Sequence, residues 1–151
     1  MSTQNFKPLF TPGLHDCNVD DLHNLLVAPF EDPDHRQKLL SRFLVLLDII
    51  CQCGLSYEVW IDGSFVTKKD RPNDVDAVFF ADEQSFNQLS IDKRKTLSSL
   101  FAKQNKKEIK LRYYSDIYFA PKNNDSWRTI WEDTFGSDRN GNSKGILRLL
   151  V

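Results

Sequence analysis

With 151 residues the chain is long enough to bury one sizeable core and leaves little room for a second. Its 40% hydrophobic and 27% charged residues, with no apolar run long enough to span a bilayer, are those of a soluble globular chain and exclude a transmembrane one. Twenty basic against 21 acidic residues give a net charge of −1, so no global field draws the chain to nucleic acid and any such binding needs a local patch.

In chain order, Met1 to Phe10 carries one Lys and lacks the continuous apolar region of a secretory signal, which leads to the expectation of a cytoplasmic protein. Residues 1–33 read as an irregular N-terminal segment, with a turn over Thr11-Pro12-Gly13-Leu14-His15-Asp16 and a short helix near Val19 to Leu26. Asp32-Pro33 has the form of an N-cap followed by proline at the first helical position. Leu39, Leu40, Phe43, Leu44, Leu47 and Ile50 then recur at helical spacing, so an amphipathic helix is predicted from about Pro33 to Cys53, ended by Gly54. Cys17, Cys51 and Cys53 are odd in number, which argues against a disulfide framework. Cys51-Gln52-Cys53 is spaced too tightly for a usual zinc site, and buried free thiols are the expectation.

Ser56 to Ile61 favours a strand and runs into a Gly-Ser turn. Phe65 to Asn73 reads as a charged loop, and Asp74 to Phe80 as the next strand. A helical region is predicted over Glu83 to about Lys106, a long strand over Ile109 to Phe119, a short helix over Asn124 to Phe135 and a final strand over Gly145 to Val151. This order predicts an α+β fold, a mixed β-sheet with helices packed against it.

The chemistry concentrates between residues 63 and 76. Strand side chains alternate, so Asp74 and Asp76 project to one side while Val75 and Ala77 face the other. Two carboxylates held so close call for something positive between them, and a divalent metal with oxygen ligands is the usual solution. An isolated Asp-x-Asp is as readily a solvated strand edge. Here, however, Gly63-Ser64 follows a strand, where glycine lets backbone approach a phosphate and serine offers a hydroxyl. The connecting loop adds Lys68, Lys69 and Arg71, each of them ordinary alone as solvated charge. Asp116 is the candidate third carboxylate of a two-metal site, with a structural ion pair to Arg112 as the bland alternative. Arg139 and Lys144 flank Asn140-Gly141-Asn142, a turn that brings both cations toward a phosphate or leaves them solvated. Trp60, Tyr114 and Tyr118 suit the core better than a base-stacking platform. His15, His23 and His35 take no role.

The stretch Trp60-Ile61-Asp62-Gly63-Ser64, then Pro72-Asn73-Asp74-Val75-Asp76-Ala77-Val78, resembles the signature of the DNA polymerase beta nucleotidyltransferase superfamily. It is similar in particular to small prokaryotic nucleotidyltransferase-like proteins, a likeness that extends to Pro12-Gly13-Leu14-His15, Phe135-Gly136-Ser137-Asp138-Arg139 and Lys144-Gly145-Ile146. The resemblance implies a minimal nucleotidyltransferase fold over 1–151. It also implies magnesium- or manganese-dependent transfer of a nucleoside monophosphate from an NTP to a protein or RNA acceptor, a tRNA end included. Gly63 and Ser64 would hold the triphosphate, Asp74 and Asp76 two metal ions, and Asp116 the catalytic metal and the nucleophile. Asp62 departs from the pattern, which commonly has an apolar residue before the glycine, and the usual C-terminal helical domain has no room. Relatives of the superfamily in toxin-antitoxin and phage-defence systems suggest a cognate toxin or antitoxin partner. The competing expectation is a non-catalytic module of the same fold, an antitoxin or nucleotide sensor acting through a protein partner.

Overall fold

The computed structural model describes residues 6–137 and 144–151. Its elements, in order, are β1 (Gly13–Asp16), a 3-10 turn into α1 (Leu22–Leu26), α2 (Asp34–Cys51), β2 (Glu58–Asp62), β3 (Val75–Ala81), α3 (Glu83–Asn87), α4 (Ile91–Phe101), α5 (Lys106–Tyr113), β4 (Ser115–Pro121), α6 (Asp125–Phe135) and β5 (Gly145–Leu150). The five strands form one mixed sheet in the order β1-β5-β2-β3-β4. The pairs β1–β5 and β3–β4 are parallel, whereas β2 runs antiparallel to both of its neighbours. The α+β expectation is therefore met, and among the described residues no helix is long and apolar enough to cross a membrane.

Strand alternation divides the apolar residues between two cores. Val59, Ile61, Ala77, Phe79, Ile117, Leu147 and Leu149 belong to the larger, with the α2 stripe of Leu39, Leu40, Phe43, Leu46, Leu47 and Ile50. Trp60, Val78, Phe80, Ala120 and Ile146 belong to the smaller, closed by Phe135 and Trp131 of α6. On that smaller face α6 is fastened by charge, because Arg128 grips the buried Glu58 at 3.2 and 2.9 Å and Trp60 Nε1 donates to the same carboxylate at 2.8 Å.

Several boundaries differ from the expectations. The segment 109–119 is not one strand: Lys106 to Arg112 is built of good helix formers, and Glu108 and Arg112 pair one turn apart at 3.2 Å. The apparent alternation of Ile109, Leu111 and Tyr113 is coincidental, since Ile109 is buried and Leu111 is 70% exposed. Tyr114, at φ 49°, ends the helix in the left-handed conformation and turns the chain directly into β4. The region from Glu83 to Lys106 is split because Asp82 and Ser90 each cap a helix, accepting from the amides of Ser85 and Lys93. Gly13–Asp16, read as a turn, is a strand, supplied with backbone partners by β5. Pro33 is the N-cap of α2 rather than its first helical residue. The segment predicted as Asp74 to Phe80 is Val75–Ala81, which leaves Asp74 just ahead of it.

One buried cation locks the site loop to the helices. Arg36 in α2 is 0% exposed and has no acidic ion-pair partner. Its guanidinium donates to the carbonyls of Leu26, Phe65, Thr67 and Lys69 at 2.7 to 3.2 Å and lies over the Phe30 ring at 3.7 Å. Burial lowers its pKa to about 10, still charged at neutral pH. Arg36→Met keeps much of the volume but strands four carbonyls, and is expected to lower unfolding free energy by about 3 kcal/mol or more in urea titration. Arg36→Lys recovers only part of that loss, because an ammonium cannot span the same carbonyls.

Candidate functional site

The site begins where β2 ends. After Asp62 the chain makes a 3-10 turn over Gly63–Val66, and Gly63 takes φ +79°, a conformation that glycine adopts at little cost. Space makes the same demand, since a Cβ at residue 63 would run into the Asp76 carboxylate. Ser64 follows, half-buried, its carbonyl accepting from the Thr67 amide at 3.1 Å and the Thr67 hydroxyl at 2.7 Å.

Register then assembles the acids. Antiparallel pairing sets Asp62 opposite Asp76, and parallel pairing sets Asp76 beside Asp116, so three carboxylates stand in a row across β2, β3 and β4. They share the sheet face covered farther along by α6. Asp74 adds a fourth negative charge close enough to act on Asp76.

Cations come mainly from α5. Lys106 Nζ donates to Asp116 Oδ1 at 3.0 Å and to the Ile117 carbonyl at 2.7 Å, lying 3.7 Å from the centre of the Tyr118 ring. The Tyr118 hydroxyl donates to Asp116 Oδ2 at 2.9 Å. One helical turn on, Lys110 Nζ pairs with Asp74 Oδ2 at 3.3 Å. Lys144, just before β5, pairs with Asp62 Oδ2 at 3.2 Å, while Asp62 Oδ1 is buried with no hydrogen-bond partner.

These cations do not fully compensate the row. Burial pushes the Asp62 carboxyl up to about 8 against the pull of Lys144. Burial, then the charges of Asp74 and Asp116, push Asp76 up to about 7. Glu58, buried on the same face, is the contrast: burial raises it, but hydrogen bonds from Arg128 and Trp60 outweigh that and hold it below its ordinary value. Glu58 is a satisfied structural acid, whereas Asp62 and Asp76 are the under-compensated carboxylates that mark a candidate site.

The donor set is all carboxylate oxygen, which suits a hard divalent cation, and the unpartnered Asp62 oxygen leaves acceptor capacity unused. With the lysines where they stand, no three His, Cys, Asp or Glu side chains among the described residues converge on a point that could hold a metal ion.

The other sequence candidates lie apart. Arg71 reaches Asp32 at 4.0 Å, Lys69 lies 5.7 Å from the Phe6 ring centre, and Lys68 is exposed; among the described residues none of the three pairs with the carboxylate row. Arg139 and the turn at 140–142 lie outside the described residues. Arg112, the suggested structural partner of Asp116, pairs with Glu108 instead. Trp60 is core, tilted against Phe80 at 4.6 Å. Sequence reasoning missed Lys106 and Lys110 because it read their helix as the start of a strand, although Lys at i and i+4 among helix formers was the available signal. One surface depression, about 290 Å³ and lined in part by Asp82, Pro121 and Asn124, lies at the opposite end of β3 and β4 from the carboxylates.

Two outcomes follow from this geometry. Gly63→Ala should lower stability by about 2 kcal/mol or more from strain and collision together, and pairing it with Asp76→Ala should recover only the collision part, read as midpoint shifts in urea. Because Asp62 and Asp76 have pKa values raised above those of the unfolded chain, the folded state holds more protons between about pH 4 and 8. Their contribution to stability therefore falls as pH rises through that window, and Asp76→Asn should flatten the decline in denaturation curves taken across it.

No curated protein and no solved structure matches the chain. One family model does, over residues 3–150, and the chain accordingly belongs to the Family of unknown function (DUF6932).

Proposed function

We propose that the protein is a metal-dependent nucleotidyltransferase, moving a nucleoside monophosphate from an NTP to a protein or RNA acceptor in the cytoplasm, with pyrophosphate released. The observation that carries the reading is the in-register row of Asp62, Asp76 and Asp116 set directly against the Gly63-Ser64 turn. Asp74, Asp76 and Asp116 would hold magnesium or manganese, which when bound supplies charge to an attacking oxygen and a departing pyrophosphate. The rest falls to the chain. Gly63, having no side chain, lets a phosphate approach the backbone, Ser64 donates from its hydroxyl, and Lys144 brings a cation to the same end of the sheet. Tyr118 and Lys106 fix the orientation of the Asp116 carboxylate. A toxin-antitoxin or defence role, with a cognate partner, follows from the sequence resemblance alone.

The test is incubation with magnesium or manganese, cell extract and each NTP labelled at the α-phosphate. Transfer of label to protein or RNA is expected, reduced at least a hundredfold by Asp74→Ala or Asp76→Ala. Absence of transfer under every condition, with full biological activity of the double variant, overturns the enzyme reading.

A second reading, a non-catalytic module acting through a protein partner, draws on a different observation: Lys106 and Lys110 already neutralise two of the carboxylates. It predicts no manganese binding that depends on Asp74 or Asp76, which electron paramagnetic resonance measures directly.

A further inference from the structure

The α5 lysines pose a problem for any ligand of the carboxylate row. Lys106 holds Asp116 Oδ1 at 3.0 Å, and Lys110 holds Asp74 Oδ2 at 3.3 Å. These are oxygens a divalent cation would need, and a carboxylate oxygen facing an ammonium is poorly placed to bind a second cation. The remaining acid does not resemble a site satisfied by lysine alone. Asp62 is 1% exposed, stands in register with Asp76, and keeps Oδ1 without a partner. Acceptor capacity is thus left over on the sheet, while the mobile-stemmed cations sit on one neighbouring helix.

Lysine suits exchange better than arginine would. Its ammonium is a point charge on a flexible four-carbon stem, with no planar fork to be broken. Lys110 is half exposed on α5, free to leave Asp74 for water or for an anion without moving the helix. Lys106 has the Tyr118 ring and the Ile117 carbonyl as remaining partners if Asp116 turns to another cation.

We infer that Lys106 and Lys110 are exchangeable counter-ions of the site: they hold Asp116 and Asp74 until a divalent cation takes those oxygens, and then bind the phosphates of the incoming nucleoside triphosphate. The inference rests on the nucleotidyltransferase reading and assigns it two phosphate-binding residues outside the glycine-serine turn. The lysines also act as a check on order, since metal and phosphate each favour the state that the other needs. Metal frees the ammonium groups, and triphosphate retains them away from the acids.

The experiment measures two affinities on the whole chain: manganese alone by electron paramagnetic resonance, and a fluorescent ATP analogue in saturating magnesium by anisotropy. Lys106→Met with Lys110→Met is expected to bind manganese about fivefold tighter and the nucleotide about tenfold weaker. Lys103→Met with Lys107→Met removes the same charge from exposed positions of the same segment, and should move both constants less than twofold. If the first double variant is poorly folded by circular dichroism, Lys110→Met alone tests the same signs, because its side chain is half exposed. Unchanged constants, two constants moving in the same direction, or an equal effect in the Lys103/Lys107 variant overturn the inference while leaving the proposed function standing. Failure of the wild type and of every lysine variant to bind manganese in an Asp76-dependent way overturns both.

Discussion

Four carboxylates gathered at one end of a sheet, two of them on strands buried to either side, set the constraint around which the rest of this structure is arranged. Like charges in a low-dielectric setting repel far more than in water, so the row persists only with protons, lysines or a bound cation among its members. The protein commits backbone to it as well. Gly63 takes a left-handed conformation against the Asp76 carboxylate, and Arg36 ties the following loop to α1 and α2 through carbonyls alone. Such concentrated polar demand at one end of an otherwise apolar sheet is characteristic of a place where stability has been given up for chemistry.

The contrast between the two ends of the α6-covered face makes the point sharper. Glu58 meets Arg128, Arg148 and the Trp60 indole, and is fully engaged. Asp62, two strand positions farther along the same face, has one lysine and one unused oxygen. Both are buried acids on β2. Only their neighbours tell them apart, and those neighbours come from segments far away in the chain.

That distance explains what could be read from the sequence. The helical stripe of α2, the strands either side of Gly63-Ser64, and the α+β class follow from local periodicity, which needs no knowledge of partners. Asp74, Asp76 and Asp116 were visible as acids in strand-like surroundings. The place of Asp62 in the row was not, because opposition to Asp76 is a property of register and not of local sequence. Nor was Arg36, a charged residue on the buried side of a helix whose carbonyl partners lie in two other segments. The strand β1 was hidden behind Pro12-Gly13, turn residues by any local rule, since what makes it a strand is the edge of β5. Helix α5 was misread because three apolar residues alternate there by chance, and only burial separates Ile109 from Leu111.

The sheet order carries a kinetic consequence. Strand β5 lies between β1 and β2, pairing Gly13 with Gly145 and Ile61 with Leu147, so the middle of the sheet is closed by contacts between segments remote in sequence. Loop-closure entropy must be met before those pairings yield any return, which places this chain among slow, high-contact-order folders. Until β5 arrives, β2 presents an open hydrogen-bonding edge flanked by Val59, Trp60 and Ile61, the kind of edge on which partly folded chains pair with one another. The same strand that brings Lys144 to Asp62 is thus the one whose late docking shields the nascent sheet from aggregation.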